Sequence, residues 1–215
     1  MATPTRSLVA VSAGLGQPSS TRLLTDRLVA ATERHLRDAG FDAVTEVLEL
    51  REHAPDLANN LVTGFPSPAL QVAIDRVTDA DGLIVSSPIF NASYSGLFKM
   101  FFDVIEHDSL DGRPVLLAAT GGTARHSLAL EHALRPLFSY LGADTMRTAV
   151  YAASEDWGHA GVPADGTLVQ RIDRAARELS NAIVMREPST KRDPFEDPAP
   201  FEQMLRDLEG RPQGG

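Results

Sequence analysis

Five short apolar runs punctuate the chain, at residues 7–11, 43–50, 82–86, 114–119 and 146–151, and the stretches between them repeat apolar positions every three or four residues. An unbroken or alternating apolar run marks a strand, whereas a period near 3.6 marks a helix with one buried stripe. Leu24, Leu28, Ala31 and Leu36 form such a stripe, and Leu70, Ile74 and Val77 form a shorter one. Leu97, Phe98, Phe101, Phe102 and Ile105 form a third, and Leu128, Leu130, Leu134 and Leu137 a fourth. Leu168, Ile172, Ala175, Leu179 and Ile183 complete the set. This alternation predicts an α/β fold with a parallel sheet covered on both faces.

The strands also predict their order. Leu8 to Val11, Leu83 to Val85 and Val115 to Ala119 are apolar throughout, as strands buried on both faces must be. The second and fifth runs carry Glu46, Glu49 and Arg147, which suits sheet edges. The distribution predicts a flavodoxin-like three-layer sandwich of five parallel strands in the order 2-1-3-4-5. In that order ligands bind where the winding reverses, between the first and third strands. Residues 1–187 are expected to form this one domain. From Pro188 the chain turns Pro-rich and charged, so residues 188–215 are expected to be a tail. Within it Phe201, Met204, Leu205 and Leu208 recur at the spacing of a short docking helix.

Two of the connections carry candidate chemistry. The first strand is followed by Ser12-Ala13-Gly14-Leu15-Gly16-Gln17-Pro18-Ser19-Ser20-Thr21-Arg22. A helix N-terminus offers unpaired N–H groups and the positive end of its dipole, and Ser19, Ser20 and Thr21 add hydroxyls there. Arg22 is the telling residue, because a cation in a first helical turn is disfavoured unless an anion sits nearby. An ordinary N-cap with Arg22 in solvent is the plainer alternative. Ser19 replaces the third glycine of a dinucleotide fingerprint, and the Gly-Lys-Ser/Thr of a triphosphate loop is missing, so a monophosphate suits the loop best.

The third strand leads into Ser86-Ser87-Pro88-Ile89-Phe90-Asn91. Pro88 makes this a stiff extended arch, Phe90 offers a flat apolar surface, and Asn91 offers both a donor and an acceptor. Phe90 in the core and Asn91 stabilising its own turn is the plainer alternative. Thr120, Gly121 and Gly122 follow the fourth strand, and glycines let a backbone approach a ligand closely. The three loops would open at one rim of the sheet and suit flavin mononucleotide, FMN. Arg125 and His126 are placed to meet the phosphates of a nicotinamide dinucleotide, or are simply exposed loop residues. Trp157 is open between the mouth of this site, a subunit contact and local packing.

Composition narrows the field further. At 215 residues the chain suits one α/β domain and is short for a dinucleotide domain plus a separate catalytic one. The absence of cysteine excludes disulfides and thiolate nucleophiles. A formal charge of −9 with no basic stripe argues against nucleic acid. No apolar run has the length of a signal peptide or a membrane span, so a cytoplasmic protein with no membrane partner is expected. Hydrolase elbows and zinc-helix motifs are missing, which weakens hydrolase and metalloenzyme readings, and His126 and His132 fall on different helix faces, so no metal site is expected.

Three segments together carry a resemblance: residues 12–22, Ser-Pro-Ile-Phe-Asn-Ala-Ser-Tyr-Ser-Gly-Leu-Phe-Lys at 87–99, and Ala-Thr-Gly-Gly-Thr-Ala-Arg-His at 119–126. In these the chain resembles the NADPH-dependent FMN reductases of flavodoxin-like fold, particularly the branch partnered with luciferase-like monooxygenases, over roughly residues 6–187. The resemblance implies a homodimer or homotetramer, FMN held by three loops, and two-electron reduction of flavin by NADPH or NADH. By matching position it assigns Ser12, Ser19, Ser20 and Arg22 to the phosphate. Pro88, Ile89, Phe90 and Asn91 would flank the ribityl chain and ring, and Thr120, Gly121 and Gly122 the pyrimidine edge. A quinone or azo-compound reductase on the same scaffold, a non-enzymatic FMN carrier, and a scaffold without flavin remain open at this point.

Overall fold

The computed structural model describes residues 3–157 and 167–187; the tail at 188–215, with its proposed docking helix, and His159 lie outside them. The sheet is built on β1 (Thr5–Ser12), β2 (Asp42–Glu49), β3 (Gly82–Phe90) and β5 (Pro114–Gly121). β1 pairs in parallel with β2 and β3, and β3 pairs in parallel with β5, so the order runs β2-β1-β3-β5. β3 and β5 are buried along nearly their whole length, whereas β2 is an edge with Val44 65% exposed. The expected winding, with its reversal between β1 and β3, is therefore present.

The strand count differs from expectation: the sheet has seven strands. The expected fifth strand is split into β6 (Asp144–Thr145) and β7 (Val150–Ala153), each pairing in parallel with a different part of β5. Side chains capture the backbone between them. Arg135 donates to Thr145 Oγ1 at 2.9 Å and to the Met146 carbonyl at 3.0 Å, while Glu178 accepts from the N–H and hydroxyl of Thr148 at 2.9 and 2.7 Å. Groups held in this way are lost to the sheet ladder.

The seventh strand, β4 (Ser93–Tyr94), folds back antiparallel on the end of β3. β3 thus continues to Phe90 and closes a hairpin where the sequence predicted an arch. The two turn residues, Asn91 and Ala92, have φ of 49° and 66°. Positive φ at both central residues is the turn whose twist matches the flanking strands.

Helices cover both faces. α1 (Ser20–Asp38) and α6 (Leu168–Met185) lie on one, packing Leu24, Leu28, Ile172, Leu179 and Ile183 against Leu8, Ala10, Ile84, Leu116 and Ala118. α2 (Ala54–Thr63), α3 (Pro68–Asp79), α4 (Gly96–Asp103) and α5 (Arg135–Tyr140) lie on the other, around Phe98, Phe101, Phe102 and Phe138. Side chains of Ser19, Ser67, Ser95 and Thr167 accept from N–H groups in the first turns of α1, α3, α4 and α6, the usual N-cap exchange. The stripe expected at residues 128–137 is interrupted: Leu130–Leu134 forms a π turn before α5, and Leu128 is 62% exposed. Among the described residues no helix is long and apolar enough to cross a membrane.

Candidate functional site

A parallel sheet delivers every loop that follows a strand to the same rim, and the loops after β1, β3 and β5 meet there around a cavity of about 390 Å3. From the first loop come Ser19, Ser20 and Thr21, from the second Pro88, Ile89 and Phe90, and from the third Thr120, Gly121 and Gly122. All nine are residues that the sequence singled out. Leu15, Gly16, Pro18, Ser154 and Trp157 line it as well. Trp157 closes one side, with the guanidinium of Arg27 5.0 Å from the centre of its ring.

The first loop folds tightly over the start of α1. A Cβ on Gly14 would lie 2.1 Å from Ser19 Oγ, so only glycine lets the Ser19 side chain turn in to accept from Arg22 N–H at 3.2 Å. The first turn of α1 holds no acidic residue. Beneath it the hydroxyls of Thr21 and Thr120 meet at 2.7 Å, tying the first loop's helix to the third loop. Ser12 and Ser86, opposite each other in the β1–β3 register, carry buried hydroxyls with no hydrogen-bond partner among the described residues.

Five of the singled-out residues lie outside the cavity lining. Ser12 is buried at the end of β1, one layer below. Arg22 faces two carboxylates, donating to Asp26 at 2.7 Å and to Glu49, and this company raises its already high pKa. Asn91 sits exposed at the hairpin tip, and Arg125 and His126 are exposed on the helical turn Ala124–His126.

Sequence reasoning missed the acidic neighbour of Arg22. Glu49 stands opposite Ser12 in the β1–β2 register and also pairs with Arg51 at 2.8 Å. With the Gln17 side-chain amide oriented so that its oxygen faces Arg51, the Arg51 guanidinium reaches that oxygen in the first loop at 2.5 Å. The signal was the strand order, because any winding that places β2 beside β1 puts the end of β2 beside the loop.

The third loop is held from behind. Tyr151 on β7 donates its hydroxyl to the Thr123 carbonyl at 2.8 Å, and a Cβ on Gly121 would lie 2.0 Å from the Tyr151 Oη. Burial, helped by the nearby charge of Asp156, raises the Tyr151 pKa. Asp156 is itself fixed by Ala153 N–H at 2.8 Å and Arg171 at 2.6 Å.

These residues fit FMN. An acid-free helix start with three hydroxyls suits a phosphate monoester, and its first N–H groups have no helical partners. The end of β3 at Pro88–Phe90 and the indole of Trp157 offer apolar surface to a ring, and the volume is that of a small-molecule site.

The comparisons with known proteins agree. A family model described as NADPH-dependent FMN reductase matches residues 7–158. An FMN reductase (NADPH) of Pseudomonas aeruginosa is 40% identical over 173 residues, 80% of this chain and 90% of the relative. The NADH-dependent FMN reductase SfnE of Pseudomonas putida is 39% identical over 82% of this chain and 91% of its own length. Among solved structures, an oxidoreductase from Corynebacterium diphtheriae is 43% identical and superposes with a TM-score of 0.81, covering 85% of this chain and 99% of that one. On sequence, fold and the loops that shape the cavity, the chain belongs to the NADPH-dependent FMN reductase family.

Proposed function

We propose that the chain catalyses the NAD(P)H-dependent reduction of FMN in the cavity at the C-terminal rim of the sheet. The observation that carries this reading is the convergence of nine residues, from the start of α1 and the ends of β3 and β5, on that one cavity. When bound, FMN supplies the N5 position that accepts a hydride from the nicotinamide, so the protein needs no nucleophile of its own.

The chain's residues bind, orient and shield. Ser19, Ser20 and Thr21 hold the phosphate through their hydroxyls and the first-turn amides of α1. Ser12 supports this end from below with its unpartnered hydroxyl. Arg22 joins it by exchanging Glu49 for the phosphate. Pro88, Ile89, Phe90 and Asn91 flank the ribityl chain and ring, opposite Trp157. Thr120, Gly121 and Gly122 border the pyrimidine edge, where backbone donors stabilise negative charge. Arg125 and His126, exposed just beyond, take the phosphates of the nicotinamide dinucleotide.

The reading extends to a homodimer or homotetramer in the cytoplasm that hands reduced FMN to a flavin-dependent monooxygenase. The motif likeness to the monooxygenase-partnered branch supports it. Relatives named for NADPH and for NADH both match, so either donor suits the reading.

Stopped-flow mixing of the protein and FMN with each nicotinamide tests the activity. Nicotinamide oxidation together with loss of flavin absorbance is expected. Oxidation no faster than in buffer, with both donors, would overturn it. Sedimentation of the same sample reports the assembly.

A further inference from the structure

A second and larger cavity, about 970 Å3, runs between α1 and α6 on the face of the sheet that those helices cover. Its walls carry four arginines, Arg27, Arg34, Arg174 and Arg177, against one acid, Asp173. That is a local excess of positive charge on a chain whose formal charge is −9. Asp173 is already shared by Arg34 at 2.6 Å and His35 at 2.9 Å. Arg27, Arg174 and Arg177 are exposed and make no close ion pair among the described residues, and Arg174 acts on Glu178 only at longer range. Apolar surface accompanies the charge: Val169, 67% exposed, lies on one wall and Ala30 on the other. Cations held at close quarters repel one another, and an anionic partner relieves that repulsion.

The chain contains a segment of matching chemistry. Residues 193–209 hold six carboxylates, Asp193, Glu196, Asp197, Glu202, Asp207 and Glu209, with Arg206 as their one cation. Phe195, Phe201, Met204, Leu205 and Leu208 are interspersed among them. Length permits the meeting. From Met185, the last residue of α6, back to Arg177 is about 12 Å at 1.5 Å per residue. Residues 188–192 alone can span about 17 Å when extended.

We propose that the groove between α1 and α6 is the docking site for residues 193–209 of the same chain, whose carboxylates pair with Arg27, Arg174 and Arg177 while their apolar side chains cover Val169 and Ala30. The groove adjoins the flavin cavity through one contact, because Arg27 lies in its wall and stacks on Trp157, which lines the other. The proposal stands independently of the activity assigned to that cavity.

The chain has no cysteine, so introduced thiols report without background. The full-length variant Val169→Cys/Met204→Cys, oxidised at micromolar protein, is expected to form a disulfide within one chain at least tenfold faster than Val62→Cys/Met204→Cys. Val62 is 87% exposed on α2, on the opposite face. Adding Arg174→Glu/Arg177→Glu is expected to erase the difference, and adding Glu202→Arg/Asp207→Arg to that variant to restore it. Equal rates for the two cysteine pairs, a bond formed only between two chains, or a rate indifferent to the charge reversals would each overturn the proposal.

Discussion

The hydroxyls of Thr21 and Thr120 lie 2.7 Å apart, both buried, although 99 positions separate them in the chain. The bond ties the start of α1 to the end of β5 beneath the cavity. Removing one partner strands the other in a dry environment, a cost of about 1–3 kcal/mol, whereas removing both leaves nothing unpaired. Thr21→Val and Thr120→Val are each expected to lower stability in urea by about 1–2 kcal/mol. The double variant is expected to lose clearly less than their sum. Strict additivity in that cycle would show that the two hydroxyls do not act as a pair.

Arg22 is held by Asp26 and Glu49, so its reach toward a phosphate competes with Glu49. Glu49→Gln weakens that competition and is expected to tighten FMN binding severalfold. Arg22→Ala is expected to weaken it about tenfold or more, in line with about 1.5–3 kcal/mol for a hydrogen bond to a charged group. Flavin fluorescence titration at fixed salt measures both. No change in affinity for Arg22→Ala would remove Arg22 from the phosphate end.

Gly121 has no room for a side chain, because Tyr151 Oη would sit 2.0 Å from its Cβ and Cζ 3.1 Å. Gly121→Ala must break the Tyr151–Thr123 bond or shift the third loop, an overpacking cost of about 1–3 kcal/mol. It is expected to weaken FMN binding about tenfold. Adding Tyr151→Phe removes the clashing oxygen and leaves a tight but adjustable contact, so the double variant is expected to recover most of the loss. A double variant no better than Gly121→Ala would place the fault elsewhere.

Glu178 joins α6 to the gap between β6 and β7. Burial, the largest single influence, pushes its pKa up, yet two bonds from Thr148 and the charges of Arg147 and Arg174 prevail and the net shift is downward. A lowered folded pKa means that the charged form stabilises the fold. That contribution is complete above the unfolded value of about 4.3 and fades as pH falls through the lower folded value. Glu178→Gln is expected to cost about 1–2 kcal/mol at neutral pH, as charged hydrogen bonds are lost, and distinctly less near pH 3. Urea denaturation at the two pH values checks this, and an equal cost at both would count against it.

The central strands were legible because double burial leaves an unambiguous mark: nothing polar interrupts Leu83 to Val85 or Val115 to Ala119. The three loops were legible because their chemistry is local, hydroxyls at a helix start and glycines at a strand end. What depends on distant partners was not. The fifth strand breaks because Arg135 and Glu178, from other elements, claim its backbone groups, and no window around residues 146–149 carries that information. The π turn at Leu130–Leu134 likewise shifts the stripe out of phase and leaves Leu128 outside. At the site, Arg22 looked like an unpaired cation because Glu49 is 27 positions away and becomes its neighbour only through strand pairing.

Trp157 is the sole indole in the chain, and it stands in the wall of the cavity proposed to bind FMN. Selective ultraviolet excitation therefore interrogates this one location, free of interference from other tryptophans. Energy transfer to an isoalloxazine arriving beside it would dim that emission in proportion to occupancy. FMN bound as proposed would give the molecule a natural optical gauge of its arrival, readable in real time without labels or engineered dyes.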